Sequence, residues 1–389
     1  MKKYFTLLSL FMAVSLVSLG QTFQVGHKQK TFIDANRANR NITTEIYYPS
    51  ATAGENVAIS SGLFPVIVFG HGFVMTWSAY EVVWNAIVPN GYIMIFPTTE
   101  TSISPSHEDF GKDIAFLVEA MKAEGINSTS LFYGTVSSTS AVMGHSMGGG
   151  SAFLAVQHDS AITALATFAA AVTTPSSITA AKNITIPSIV FSGVNDCVAP
   201  PAQHQIPMYD SLLSVCKTLV NITGASHCQF ANVNTSCYFG EGTCSPQATI
   251  SSSVQQTTTF DLLLPWLNFY LKNTCTDASL FQNLISIGSG IASQQNCILN
   301  CTVTGMENSV GAADMSIYPN PFNTFTTIKT DANFKDATFT IYNFLGQQIR
   351  CFSGQGVVLN RDDLPNGIYF VRLFRGNKII ATDKLIIIN

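Results

Sequence analysis

Seven short apolar runs, "TEIYYP", "FPVIVFGHG", "YIMIFPTT", "SAVMGHS", "ALATFAA", "PSIVFSG" and "TLVNITG", alternate with helix-like segments between Thr43 and about Lys272. Several of these runs are apolar at successive positions, so both faces of the strands they form must be covered. Strands buried on both faces with helices between them specify an α/β fold, a doubly wound and mostly parallel sheet. One intervening segment, "DFGKDIAFLVEAMKAEG", puts Ile114, Leu117, Val118 and Met121 on one helical face and Gly125 where a C-terminal cap belongs.

Both ends of the chain differ from this middle. The start reads "MKKYFTLLSLFMAVSLVSLGQTF", with Lys2 and Lys3 before an apolar core from Phe5 to Leu19 and then small residues. That is the pattern of a secretory signal peptide over residues 1–20, removed after about Gly20, and its core is too short to favour a membrane span. The α/β domain is then expected over residues 21–275. After Lys272 the periodicity fades, and residues 276–312 read as a linker with a boundary near residue 310. From Met315 the chain becomes rich in Thr, Tyr, Phe and Ile in strand-and-turn units, as expected of a small C-terminal β-sandwich over residues 313–389. This tail resembles the C-terminal sorting domain of the type IX secretion system through "YPNPF" (Tyr318–Phe322), "IYNFLGQ" (Ile341–Gln347) and "LPNGIYFVRL" (Leu364–Leu373). The resemblance implies the type IX machinery as partner, passage through periplasm and outer membrane to the cell surface or medium, and removal of the tail.

Charge narrows the partners further. Only 11% of residues are charged and the formal net charge is -4, so no basic patch exists to neutralise phosphates and nucleic acid is not an expected partner. Export to an oxidising compartment makes disulfides the expected state of the cysteines, of which eight of nine fall between Cys197 and Cys301. The near pair Cys237 and Cys244 is the simplest pairing.

The stretch "VMGHSMGGGSAF" crowds Gly144, Gly148, Gly149 and Gly150 around Ser146, although glycine weakens strands and helices alike. A strand-like "TSAVM" before the serine and a helix-like "MGGGSAFLAVQH" after it form the strand-turn-helix setting of a nucleophile elbow. There the serine sits in a strained turn that small neighbours must accommodate, and the helix N-terminus lays positive partial charge beneath a reacting carbonyl. A hydroxyl becomes a good nucleophile only when a base takes its proton, so a histidine and an orienting acid are required. In chain order Ser, acid, His, the candidates are Asp196 in "PSIVFSGVNDCVAP" and His227 in "KTLVNITGASHCQF", each just past an apolar strand. His145 points away from the serine in such an elbow, His158 ends a helix, and His204 follows no strand. The oxyanion would be met by the amides of Met147 and, in "VFGHGFVMTW", of Phe73. His71 reads as a structural hydrogen-bonding residue, and Trp77 with Phe73 as an apolar substrate wall, with a core position the equal alternative for Trp77.

At these residues the chain resembles the α/β-hydrolase superfamily, and within it the dienelactone-hydrolase-like, cutinase-like and platelet-activating-factor-acetylhydrolase-like esterases. The stretches "FPVIVFGHGF", "GHSMGGG", "FSGVNDCVAPPAQHQIPMYDSL" and "ITGASH" are also similar to bacterial polyester hydrolases acting on cutin or poly(ethylene terephthalate). The resemblance implies Ser146 as nucleophile, Asp196 as acid, His227 as base and Phe73 and Met147 as oxyanion donors, with an ester as substrate and no metal or organic cofactor. Two departures bear on substrate: the polyester hydrolases usually carry Tyr where Phe73 stands, and a Trp in the loop where this chain has Thr173, Thr174 and Pro175. Polyester cleavage is therefore the second reading behind general ester hydrolysis. An acyltransferase would use the same residues; a catalytically silent surface-binding protein is the remaining alternative, and the complete set of Ser146, Asp196 and His227 argues against it. About sixteen residues separate "ALATFAA" from "PSIVFSG", too few for a lid domain, so an open cleft is expected. Cys197 and Cys228 each follow a member of the proposed triad by one position, and a disulfide between them would hold acid and base in register.

Overall fold

The computed structural model describes residues 23–299 and, in the tail, 315–388 except 331–337, 344–347, 355 and 376–377. The expected signal peptide at 1–20 lies outside the described residues. The chain divides into two compact units, Met1–Asn300 and Cys301–Asn389.

The first unit is a 10-stranded mixed sheet with helices on both faces. It opens with a long antiparallel pair, β1 (Gln24–Asp34) and β2 (Arg40–Ser50), and the two-residue β3 (Gly54–Glu55). There follow β4 (Phe64–Gly70), β5 (Ile93–Pro97), β6 (Val136–His145), β7 (Ala164–Phe168), β8 (Ser188–Gly193) and β9 (Lys217–Ile222). All neighbouring pairs among these six run parallel. The strand order β10-β9-β8-β7-β6-β4-β5-β2-β1-β3 fits the α/β-hydrolase expectation, where β10 is Ile291–Gln295.

Successive residues of the central strands serve opposite faces. Ile67 and Phe69 join one core cluster with Met143, Phe191 and Trp266, while Val66 and Val68 join a second with Val142, Val190 and Leu117. The first face is covered by α1 (Glu81–Ile87) and α7 (Ser252–Lys272), the second by α2 (His107–Ile126) and α3 (Met147–Ala155). Continuous apolar runs follow directly from this double burial. Buried Asp113 of α2 accepts hydrogen bonds from Arg40 (2.7 and 2.9 Å), Arg37 (2.5 Å) and Thr99 (2.6 Å), tying the turn between β1 and β2 to that helix. No helix of the described residues is long and apolar enough to cross a membrane.

Two expectations are corrected. Gly125 does not cap α2, which continues to Ile126 and is capped by Asn127; a Cβ at position 125 would meet Cβ of Val136 at 2.7 Å, so the glycine admits the start of β6. The segment from residue 276 is not a linker. It forms α8 (Cys275–Ile287), which buries Ala278 and Phe281, and then β10, which pairs antiparallel with β9. Polar residues interrupt its periodicity, and a disulfide between Cys216 and Cys297 adds covalent anchorage that spacing did not reveal.

The second unit holds a 3-stranded sheet, β11 (Met315–Tyr318), β12 (Phe325–Thr330) and β15 (Gly356–Asn360), and a 4-stranded sheet of β13 (Thr338–Tyr342), β14 (Gln348–Ser353), β16 (Gly367–Arg375) and β17 (Lys378–Ile387). All their pairings are antiparallel. Within "YPNPF", Asn320 donates to the Lys384 carbonyl (2.6 Å) and accepts from the Ile386 amide (2.8 Å), which gives the motif its role as a clamp on β17.

Packing is very tight where α3 meets β4: a Cβ on Gly148 would overlap the Gly70 carbonyl and sit 2.6 Å from the His71 oxygen. Because the obstacle is backbone, Gly148→Ala should cost about 3 kcal/mol or more and lower Tm by roughly 5 °C or more. Thermal denaturation followed by circular dichroism checks this, and an unchanged Tm would show that the contact is looser than described.

Candidate active site

Each candidate residue stands just beyond the C-terminal end of a parallel strand, where open α/β sheets present their ligands. Ser146 occupies the corner between β6 and α3 with φ 56° and ψ -120°. A non-glycine residue in that region is strained and persists only when its surroundings hold it. They do: its amide donates to the Phe168 carbonyl (3.0 Å), and its carbonyl accepts from Gly150 (3.0 Å) and Ala171 (2.9 Å).

Asp196 follows β8. Its Oδ1 accepts from the amides of Val198 (2.9 Å) and Ala199 (2.8 Å), which fixes the carboxylate and leaves Oδ2 to accept from Nδ1–H of His227 at 2.7 Å. His227, in the loop after β9, is gripped on both sides. Gln255 of α7 accepts from the Ser226 amide (3.0 Å) and donates to the Ser226 carbonyl (2.9 Å), while Nε2–H of His145 donates to the His227 carbonyl (3.0 Å).

Ser146 and His227 line one cavity of about 240 Å³, together with Phe73, Val74 and Met75 from the loop after β4. No hydrogen bond joins the Ser146 hydroxyl to His227 in this conformation, among the described residues. Ligand-free sites commonly leave this link long. The amides of Phe73 and Met147 likewise donate to no acceptor among the described residues. Met147 is the first residue of α3, where helix amides have no intrahelical partner.

His145 takes no part at the cavity itself but organises it from below. With its Nε2–H directed at His227, its Nδ1 accepts from the Tyr80 hydroxyl (3.0 Å), and Tyr80 in turn accepts from the Gly72 amide (2.7 Å). This buried chain links the loop that carries Phe73 to the backbone of His227. Burial, reinforced by the proximity of His227, holds the His145 ring well below the usual histidine range, hence neutral. His71 is buried with Nε2 at 2.8 Å from the Thr99 carbonyl, consistent with a structural role. His158 contacts Glu108 (3.3 Å). His204 accepts from the Val172 amide (2.9 Å) and so anchors the loop after β7.

Three sequence expectations fail here. Trp77 does not line the cavity; it opens a short 3₁₀ turn and packs against the core. Cys197 does not pair with Cys228, nor Cys237 with Cys244. Instead Cys197 pairs with Cys244 and Cys228 with Cys237, at Cα separations of 5.5 and 5.6 Å. Both loops reach the same intervening segment, α6 (Thr235–Glu241), rather than each other. That segment supplies cavity residues that sequence reasoning misses, Ser236, Phe239 and Gly240. The signal for them is the aromatic pair in "CYFGEGTC" directly after the histidine loop.

Comparison with known proteins matches two families. A family described as PET hydrolase-like matches residues 26–242, more than half of the 389-residue chain. A second, described as a secretion system C-terminal sorting domain, matches residues 316–388. Cutinase est1 of Thermobifida alba is 25% identical over 185 residues, which cover 47% of this chain and 56% of that protein.

A neutral buried His145 has a consequence for stability. Below the ordinary histidine pKa of about 6.5 the unfolded chain binds a proton at this position that the folded chain refuses. Stability is therefore unaffected by this group above that pH and falls below it, by at most about 1.4 kcal/mol per pH unit. Urea unfolding at pH 8, 6 and 5 should show a steeper acid loss in wild type than in His145→Gln; equal slopes would mean the ring is charged in the fold.

Proposed function

The chain belongs to the PET hydrolase-like family, and on that premise we propose that it is an exported serine hydrolase of carboxylic esters, polyesters included, acting through Ser146, His227 and Asp196. The observation that carries the reading is the sharing of one cavity by a strained serine and a histidine whose far nitrogen is held by a buried carboxylate.

In the first step Ser146 Oγ attacks the ester carbonyl while its proton passes to His227 Nε2. Asp196, bonded to Nδ1–H, fixes the tautomer that leaves Nε2 free to accept and stabilises the imidazolium that results. The carbonyl oxygen becomes an oxyanion and accepts from the amides of Phe73 and Met147, which the fold leaves without other acceptors among the described residues. The imidazolium returns its proton to the departing alcohol. Water then repeats the sequence on the acyl-enzyme, giving up its proton to His227 and releasing the acid and the free serine.

Access to polymer chains is supported by the short connection between β7 and β8, which holds only the five-residue α4 (Ser177–Ala181), and by the exposure of Phe73 and Phe239 at the cavity. The tail is read as a small sandwich, since Ile328 and Leu359 of one sheet share a buried cluster with Phe339, Val371 and Leu385 of the other. As a sorting domain of the type IX kind it would direct the hydrolase to the cell surface or medium and then be removed.

Ser146→Ala should lower kcat on nitrophenyl esters by about 10⁴-fold or more and abolish labelling by a fluorophosphonate probe. Residual activity within tenfold of wild type would remove Ser146 from the nucleophile's role.

A further inference from the structure

The disulfides near the site converge on one short segment. Cys197, next to Asp196, pairs with Cys244 just beyond α6, and Cys228, next to His227, pairs with Cys237 inside it. The helix is thus covalently registered to both loops that carry the acid and the base.

From that position α6 puts Phe239 in the lining of the Ser146 cavity, with 91% of the residue exposed. Phe73 (47% exposed) and Val198 (41% exposed) are in the same lining. A single exposed apolar residue is ordinary. Three in the lining of a cavity that also holds the proposed nucleophile make an apolar surface suited to a ligand. The loop after β7 offers Thr173 and Thr174 and no aromatic surface.

We propose that Phe239 is a specificity-determining residue, whose ring packs against a planar aromatic acyl group while the ester carbonyl lies between Ser146 and the amides of Phe73 and Met147. Ring-on-ring contact adds to simple area burial, so the site prefers benzoate- and terephthalate-type esters over short aliphatic ones. The disulfides keep this wall in place without a lid. The proposal rests on the serine-esterase reading.

The test compares kcat/KM for 4-nitrophenyl benzoate and 4-nitrophenyl acetate, which share a leaving group, with hydrolysis of a poly(ethylene terephthalate) film as the polymeric arm. Phe239→Ala should lower the benzoate-to-acetate ratio about tenfold, mainly through KM, and slow film hydrolysis with it. Phe239→Trp should preserve the ratio. Tyr238→Ala serves as control, because its side chain borders a different cavity, and it should leave the ratio unchanged. A Phe239→Ala ratio within twofold of wild type, or an equal drop in Tyr238→Ala, overturns the proposal. Fluorophosphonate labelling separates the two readings: normal labelling with an unmoved ratio defeats the role of Phe239 alone, whereas wild type that fails to label defeats the esterase reading and the proposal together.

Discussion

The contact on which the site depends is the close approach of the first turn of α3 to the end of β4. Only a residue without Cβ fits at position 148, since that atom would overlap the Gly70 carbonyl and lie 2.6 Å from the His71 oxygen. The same approach has three consequences. It forces the chain to turn sharply at Ser146, so the serine takes a positive φ and presents its side chain above the sheet. It directs the unpartnered amides of the helix towards that side chain. It also brings the loop after Gly70, and with it Phe73, into the lining of the cavity that holds Ser146. The proposed nucleophile, the helix terminus and the proposed second oxyanion donor therefore depend on the same packing.

The proposed acid and base are supported differently. Hydrogen bonds from neighbouring amides lock Asp196, and Gln255 and His145 clamp the backbone around His227. Such support matters because a relay of three side chains works only when each is held within a fraction of an ångström of its productive position. The disulfides act one layer further out. They do not join the acid loop to the base loop; they fasten each to α6, so one short helix becomes a common reference for both and a wall of the cavity.

Much of this is legible in the sequence because period and punctuation carry it. Runs such as "FPVIVFG" announce a strand buried on both faces, and the glycines around Ser146 announce a corner where backbones meet. The order of Asp196 and His227 after later strands follows from the same logic. What the sequence conceals depends on partners far away along the chain. The true partners of Cys197 and Cys228 follow from where α6 folds back, which spacing alone does not encode. Trp77 escapes a sequence reading because it begins a 3₁₀ turn that packs it against the core rather than into the cavity. Residues 276–295 resemble a linker because α8 and β10 derive their order from neighbouring elements and the bond between Cys216 and Cys297 rather than from a strong pattern of their own.

The central claim is that catalysis passes through an ester of Ser146, and the direct measurement is intact-mass spectrometry of enzyme acid-quenched during turnover of 4-nitrophenyl benzoate, followed by peptide mapping. The account predicts one added benzoyl group, on the peptide that contains Ser146. Turnover with no acyl adduct under any quench time, or an adduct confined to another residue, would contradict it.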